Sequence, residues 1–460
     1  MARSNALPSF VTICEGAPGA VLARHVLRLA WPSVAEQLFF GFAQMLILTI
    51  VGGLGPEAIA AVGVSNQLQW FLVSGFFALG AGATTVVARS MGAGDADTAR
   101  DAARQAASAT VALAVLVGLA GFMLARPALR LMGLDAPTTA LAAPYLRLLF
   151  AGIPPSSLAM CLGASLRGAG DTRTPMMVNA VGTSLNVLTA YLLVGGRMGA
   201  PALGLTGAGI SFILSGLWGS AVFLIATATG RCGLHLSSWS RYRPDFGLLR
   251  RILNVGIPSA AEQLAMSLGI LMFVRVVTSL GMTTYAAHQI AVNLTNLTFP
   301  ISMGFAISAT ALVGQSLGAR RLRLAERYAY AARVLAFGLV TALSLVFALF
   351  SLSLARMYTT DGQVTVLASS ALRIAAISQP GLALYMVLAG ALRGAGDTRW
   401  PLYMTLVGIW VVRLSLGYLG VMVLPLGLYG VWGAIACDQW ARAVLVSSRF
   451  RSRRWQTIRV

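Results

Sequence analysis

The segment LRGAGDTRTP at residues 166–175 returns as LRGAGDTRWP at residues 392–401, identical at nine of ten positions. The same displacement along the chain places Pro32 on Pro258, and near the end of each copy it shortens slightly, so that Gly204 corresponds to Gly427. A repeat of fixed spacing indicates a structural unit that occurs more than once. The chain is therefore predicted to contain two copies of one fold.

The composition excludes the soluble classes of protein. Of the 460 residues, 57% are hydrophobic and 10% are charged, and the mean hydropathy is +0.77. A membrane-spanning helix needs about 20 apolar residues, and such stretches recur along the chain. We expect an all-α polytopic membrane protein with twelve transmembrane helices in two pseudo-symmetric six-helix bundles. The predicted spans lie near 29–53, 58–88, 104–125, 139–164, 175–196, 204–228, 251–279, 284–316, 330–353, 366–391, 401–424 and 428–447.

The predicted domain order follows from the repeat. The two bundles are expected at 25–228 and 251–447, with a cytoplasmic linker at 229–250. A cytoplasmic N-terminal tail (1–24) and a basic cytoplasmic C-terminal tail (448–460) flank them. Because each bundle has an even number of spans, both copies enter the membrane from the same side. The axis that relates them is therefore expected along the membrane normal.

The 34 basic residues are all Arg, and their distribution predicts the orientation of the chain. With a cytoplasmic N-terminus, 26 of them fall in cytoplasmic segments, six fall outside and two lie within helices. Cytoplasmic loops carry the excess of basic residues, so both termini are expected in the cytoplasm. The net charge of +20 then belongs to the loops, which excludes nucleic acid as a partner. The N-terminus lacks the pattern of a cleaved signal peptide.

We single out five of the ionisable residues that fall inside predicted spans, where such side chains are costly and mark functional sites. They are Glu36, Glu262, Arg275, Arg413 and Asp438. Each glutamate lies four residues after a proline at an equivalent repeat position, so both are predicted cation-coupling residues. Burial disfavours the charged form of a carboxyl group, which lets it bind a proton on one side of the membrane and release it on the other. The alternative is a hydrogen-bonded packing residue.

Arg413, Asp438 and Arg442 are predicted to form a structural ion cluster. Asp438 and Arg442 are one helical turn apart, and Arg413 lies in the neighbouring predicted helix. Mutual neutralisation then needs no role in transport. The role of Arg275 is left open.

The two LRGAGDTR segments are interpreted as turns with a second role as gate loops. Their glycines permit a tight turn, and Asp171 and Asp397 are suited to cap the helices that follow. A well-formed helix hairpin alone explains these residues. As gate residues, Arg167 and Arg393 are predicted to pair across the two halves when the cytoplasmic side is closed.

Polar and soft side chains near the glutamates and in the second helix of each half are candidates for a substrate cleft. Many of them have an alternative role in bonding neighbouring helices, and His288 fits a structural hydrogen bond as well. The candidates are Gln37, Asn66, Gln69, Gln263, Met266, His288, Gln289 and Asn293.

Several motifs together resemble the multidrug and toxic compound extrusion (MATE) family. They are the two LRGAGDTR segments, each with a proline two residues further on, Glu-Gln-Leu at 36–38 and 262–264, and AAHQIA at 286–291, and the resemblance covers residues 25–450. It implies two six-helix bundles around a V-shaped central cleft and export of cationic drugs driven by protons or sodium. Two family positions differ: Met266 stands where the sodium-linked branch carries a glutamate, and Ile47 replaces the aspartate of another branch.

The combined prediction is a secondary antiporter in a bacterial inner membrane that exports amphipathic, cationic organic compounds in exchange for H+ or Na+. A lipid-linked oligosaccharide flippase of the same superfamily is the alternative. Neither HExxH nor GxxxxGK[ST] occurs, and an enzyme and direct ATP drive are not expected. The four scattered cysteines suggest no metal or redox site. No cofactor beyond the coupling ion and a monomeric state are expected.

Overall fold

A computed structural model describes residues 15–230, 234–236 and 244–458, and within these ranges it contains helices and no β-strand. The all-α fold class is therefore confirmed. The helices are α1 Gly19–Gly52, α2 Pro56–Val73, α3 Phe76–Gly92, α4 Ala96–Leu131, α5 Ala136–Ala151, α6 Ile153–Gly168, α7 Arg173–Gly195, α8 Leu205–Ala228, α9 Phe246–Thr278, α10 Met282–Thr295, α11 Thr298–Gly318, α12 Leu322–Leu349, α13 Ser351–Arg356, α14 Gly362–Gly394, α15 Arg399–Thr405, α16 Leu414–Tyr418 and α17 Gly427–Arg451.

Nine of the described helices are long and apolar enough to cross a membrane, or eleven if each of two bent pairs counts as one span. These eleven correspond to the first eleven predicted spans. The twelfth, α17, is a continuous helix of 25 residues. It contains Asp438 and Arg442, which lower its hydropathy.

Three predicted spans are broken helices rather than straight ones. The bend is 43° between α2 and α3 and 42° between α5 and α6. The second break falls at Gly152, which Pro154 and Pro155 follow, and proline cannot donate the backbone hydrogen bond that would continue α5. A third break, between Thr295 and Thr298, separates α10 from α11.

The predicted span 401–424 combines α-helical and π-helical turns. The π-helical segments are Leu406–Arg413, between α15 and α16, and Leu419–Val423, after α16. A π-helical turn has one more residue than an α-helical turn, and such turns are frequent at functional sites.

The chain divides into two compact units whose boundaries fall inside α1 and α9. The N unit is Ala35–Ala260, and the C unit combines the residues up to Val34 with those from Ala261. Each of these helices therefore begins in one unit and ends in the other. Each boundary lies two residues after the internal proline, Pro32 or Pro258. The predicted bundles, 25–228 and 251–447, assigned each helix whole to one half.

Close contacts explain why the beginning of α9 belongs to the N unit. A side chain on Gly256 would collide with the backbone of Ala78, and one on Gly82 would collide with Ile252. Only glycine permits such a close approach of two helices.

The beginning of α1 is packed equally closely within the C unit. A side chain on Gly304 of α11 would meet Ala30 and Val34, and His25 Nδ1 lies 2.8 Å from the hydroxyl of Tyr328 on α12.

The described part of the predicted tail at 448–460 has a regular structure. Helix α17 continues to Arg451, and a 3-10 turn follows at Arg454–Thr457. The Trp455 side chain is fully buried and stacks on Phe450 at 4.8 Å between ring centroids. Much of the predicted linker 229–250 and of the tail 1–24 lies outside the described residues, as do Cys14 and Cys232.

Candidate functional site

In the N unit, Glu36 forms an ion pair with Arg167. Arg167 Nη1 lies 3.3 Å from Oε1 and 3.5 Å from Oε2 of the carboxylate. Asn179 on α7 donates a hydrogen bond of 2.6 Å from Nδ2 to Oε1. The carboxylate, in α1 just past the unit boundary, is therefore held by the last turn of α6 and the second turn of α7.

In the C unit, Glu262 has a tighter and larger set of partners. Arg393 Nη2 donates to both carboxylate oxygens, at 2.7 and 2.8 Å. The Tyr385 hydroxyl donates to Oε1 at 2.7 Å, and the Thr405 hydroxyl donates to the same oxygen at 3.2 Å. Glu262 is only 6% exposed. A buried carboxylate with these four hydrogen bonds has its charge well compensated.

The two sites are copies of each other. In both units the glutamate and its arginine are 131 residues apart in the chain. The glutamate and its third partner, Asn179 or Thr405, are 143 residues apart in both. The internal repeat therefore places one ion-paired carboxylate in each unit.

The predicted pairing of Arg167 and Arg393 across the two halves when the cytoplasmic side is closed stays a prediction. Each lies in the last turn of a helix, α6 or α14, and its guanidinium bonds to the glutamate of its own unit. A carboxylate left unpaired inside a bundle would be costly, and these arginines supply the counter-charge.

The acidic residues of the two LRGAGDTR turns differ in their partners. Asp171 caps α7 by accepting hydrogen bonds from the amides of Arg173 and Thr174, at 3.1 and 3.0 Å. Asp397 also bonds to a backbone amide, that of Trp400, and in addition accepts a bond of 2.8 Å from Arg449 Nε on α17. Burial raises the pKa of Asp397, although the hydrogen bond from Arg449 opposes this shift.

The turns themselves are alike. Gly170 and Gly396 have φ values of 92° and 84°, a region that favours glycine because it lacks a Cβ.

Asn179, Tyr385 and Thr405 are site residues that the sequence did not reveal. Asn179 and Thr405 occupy equivalent positions of the repeat but differ in type, so an identity search passes over them. The sequence signal that could have revealed Asn179 and Thr405 is that both equivalent positions carry a polar residue. Tyr385 has no such signal, because its counterpart in the N unit is Ala159.

The predicted ion cluster is assembled in the C unit. Arg413 Nε and Arg442 Nη2 both donate to Asp438 Oδ2, at 2.9 and 2.8 Å. Asp438 is fully buried. We call these three residues the triad. Gly408, in the first π-helical segment, makes room for it, because a side chain there would collide with Asp438 and Arg442.

Within each unit, the hydrogen bonds of the predicted cleft residues involve separate partners and do not connect these residues to one another. Asn66 Oδ1 accepts a bond of 3.3 Å from the Tyr145 hydroxyl, and Gln289 Nε2 donates to the Tyr285 hydroxyl at 2.5 Å. Asn293 is exposed, and four residues are half-buried: Gln37, Gln69, Gln263 and Met266.

His288, one of the cleft candidates, has aromatic neighbours within the C unit. It is buried between the rings of Trp432 and Tyr285, with ring centroids at 5.5 and 6.5 Å. Aromatic rings at these distances contribute to the burial of the histidine.

Among the described residues no group of three or more His, Cys, Asp or Glu side chains is placed to hold a metal ion.

Repeated bundles of membrane-length helices, each with an arginine-paired glutamate at an equivalent position, define a polytopic membrane transporter with an internal repeat. The MatE family model matches residues 32–192 and 258–419, two ranges that begin at the equivalent prolines of the repeat, Pro32 and Pro258. The chain belongs to this family of multi-pass membrane transporters and is not an enzyme.

The chain is similar to curated relatives and to solved structures over nearly its whole length. The probable multidrug resistance protein NorM of Thermotoga maritima is 30% identical over 447 residues, which cover 95% of this chain and 93% of the relative. The multidrug resistance protein MdtK of Pectobacterium atrosepticum is 28% identical over 93% of this chain and 95% of its own. A crystal structure of MATE in the straight conformation is 24% identical, with a TM-score of 0.88 over 96% of this chain and 100% of that chain.

Proposed function

We propose that this chain is a secondary antiporter that exports amphipathic, cationic organic compounds in exchange for protons, with Glu262 as the principal coupling residue and Glu36 as the second. The observation that carries the proposal is the Glu262 carboxylate, buried in a membrane-length helix and bonded to Arg393, Tyr385 and Thr405. The names of the relatives, multidrug resistance proteins, support drug-like organic compounds as the substrate class.

Protons fit this site better than sodium. A sodium ion on Glu262 has to displace the guanidinium of Arg393, which contacts both carboxylate oxygens. A proton removes the carboxylate charge and thereby releases Arg393 instead. Protonation leaves the Arg393 guanidinium without its counter-charge, and an unpaired buried charge costs about 3–5 kcal/mol. Because Arg393 lies in the last turn of α14, protonation of Glu262 therefore favours a different arrangement of that turn.

Alternating access of the two halves then links proton uptake to export. Substrate binds from the cytoplasm or the inner leaflet, the halves rock, and proton binding from outside drives substrate release and return. Each proton that enters along the membrane potential supplies about 2.3 kcal/mol per 100 mV.

The same proposal includes the setting of the protein. The bias of Arg towards the segments expected in the cytoplasm supports cytoplasmic termini in a bacterial inner membrane. We propose a monomer, because each unit carries a complete set of carboxylate partners in one chain.

Dye transport into everted vesicles, which corresponds to efflux from the cell, tests the proposal. Wild type, Glu262→Gln and Glu36→Gln are compared under an imposed pH gradient and an imposed sodium gradient, with Glu57→Gln as the matched control because Glu57 is an exposed carboxylate on α2. We expect efflux that follows the pH gradient and is lost in Glu262→Gln. Efflux driven by sodium alone would overturn proton coupling. A protein that moves a lipid-linked oligosaccharide but no dye would support the flippase alternative.

A further inference from the structure

The Glu36 and Glu262 sites differ in the side chains that surround the partners of the carboxylate. With the displacement that carries Pro32 to Pro258, Tyr385 corresponds to Ala159. With the slightly shorter displacement in the last helix of each half, Arg442 corresponds to Gly219. The positions are equivalent in space as well. The guanidinium of Arg442 lies 4.7 Å from the ring centroid of Tyr385, and a Cβ on Gly219 would lie 3.2 Å from Ala159.

A second equivalent pair shows the same difference. Asp438 corresponds to Ser215 and Gly408 corresponds to Gly182. The Ser215 hydroxyl donates a bond of 2.8 Å to the carbonyl of Gly182, where the C unit has the Asp438 carboxylate against Gly408. Small neutral side chains in the N unit are thus replaced by charged groups and a tyrosine in the C unit.

These groups form one continuous path to Glu262. Arg413 and Arg442 bond to Asp438, Arg442 also donates to Gln439 at 3.1 Å, and its guanidinium covers the Tyr385 ring. The Tyr385 hydroxyl lies 2.7 Å from Glu262 and 2.8 Å from Thr405. Asp438, Arg442 and Tyr385 are all buried, so the path has little freedom to rearrange.

We propose that Tyr385 holds the Glu262 carboxylate in the position from which protonation drives transport, and that the triad positions Tyr385 through the guanidinium of Arg442. A cation over an aromatic face is attracted by the ring, and here it fixes a ring whose hydroxyl donates to a charged acceptor. The described part of the N unit has Ala159 and Gly219 at these positions, and Glu36 is bonded to Arg167 and Asn179. The inference rests on the proposed function and assigns it mainly to the C unit.

The test separates coupling from folding by measuring two rates in proteoliposomes. One is dye efflux driven by a pH gradient, and the other is dye exchange without any gradient, which needs the halves to move but needs no proton. We expect Tyr385→Phe to lower the driven rate about tenfold, which is the loss of one hydrogen bond to a charged group, and to leave exchange within about twofold. Tyr328→Phe is the control, because it removes a buried tyrosine hydroxyl of the same unit that bonds to His25 instead.

Arg442 is tested by a graded pair of variants. Arg442→Gln is expected to lower driven efflux as Tyr385→Phe does, with exchange retained, and Arg442→Lys is expected to restore most of the driven rate because an ammonium still pairs with Asp438 and lies over the ring. Equal loss of both rates in Tyr385→Phe, or an unchanged driven rate, would overturn the inference. If Glu262→Gln keeps driven efflux, the proposed function itself fails. If Glu262→Gln loses it while Tyr385→Phe and Arg442→Gln behave as wild type, only the present inference fails.

Discussion

One guanidinium nitrogen of Arg393 contacts both carboxylate oxygens of Glu262, at 2.7 and 2.8 Å. The equivalent contacts between Arg167 and Glu36 are longer, at 3.3 and 3.5 Å. The two copies of the site therefore share a glutamate–arginine pair, but the contacts within the pair are shorter in the C unit. The difference places the more strongly held charge in the C unit.

Removing the charge of Arg393 is expected to destabilise the protein more than removing both partners. Arg393→Leu leaves Glu262 buried without its counter-charge, which costs about 3–5 kcal/mol. The double variant Arg393→Leu/Glu262→Leu is expected to recover most of this loss, since two apolar side chains leave no unpaired charge. The melting temperature in detergent measures both.

An exposed ion pair provides the control for that experiment. Arg100 and Asp97 pair on the surface of α4 at 2.7 Å, and an exposed pair contributes about 0–1 kcal/mol. Arg100→Ala should barely change the melting temperature. A double variant at 262 and 393 that melts as low as Arg393→Leu would contradict the role of an uncompensated charge.

Gly408→Ala is expected to destabilise the triad through a single methyl group. The added Cβ would collide with the Asp438 carboxylate and the side chain of Arg442, and overpacking of this kind costs about 1–3 kcal/mol. Gly433→Ala is the matched control on α17, where nothing lies within 4 Å of the added atom. There alanine should stabilise the helix by about 0.5–1 kcal/mol. Thermal unfolding of both variants decides the matter, and equal melting temperatures would refute the collision.

Trp455→Ala is expected to loosen the end of the chain. The indole is fully buried, stacks on Phe450 and donates from Nε1 to the Phe450 carbonyl at 2.8 Å. Truncation of a buried tryptophan costs about 3–5 kcal/mol. Trp31→Ala makes the same chemical change at a half-exposed position and should cost much less. Limited proteolysis after residue 448 gives the measurement, and equal protection in the two variants would contradict a docked tail.

Glu36→Gln is expected to impair efflux driven by a pH gradient less than Glu262→Gln does. Two partners, Arg167 and Asn179, lose a charged acceptor at 36, and the Arg167 contacts are long at 3.3 and 3.5 Å. Three partners lose theirs at 262, namely Arg393, Tyr385 and Thr405. Hydrogen bonds to charged groups contribute about 1.5–3 kcal/mol each. Initial rates in everted vesicles provide the comparison. A larger loss in the Glu36 variant would reverse the assignment of the two units.

Most of the helical architecture was predictable because it depends on local composition. Long apolar stretches and a repeat of fixed spacing are visible without any knowledge of packing. The breaks at Gly152 and after Thr295 were missed, since an apolar run reads the same whether its helix is straight or bent. The unit boundaries inside α1 and α9 were missed for another reason: they depend on contacts such as Gly304 with Ala30, between residues far apart in the chain.

The candidate site was predictable only where charge and repeat coincided. Glu36 and Glu262 satisfy both conditions, and the triad was predicted from charge alone. Tyr385 satisfies neither, because a tyrosine in an apolar helix is ordinary and its counterpart is an alanine. The bond from Arg393 to Glu262 was not predicted, because turn chemistry explained the LRGAGDTR segment without showing where a long side chain in the last turn of α14 extends.

The division of α1 between the two units has a consequence for biosynthesis. The opening turns of this helix leave the ribosome early, but their packing partner Gly304 lies in α11, well into the second half of the chain. At a synthesis rate of about 5–20 residues per second, the interval between them is on the order of tens of seconds. During this interval all residues of the N unit, Ala35–Ala260, are synthesised, whereas the first turns of α1 stay without their packing partners until the C unit follows.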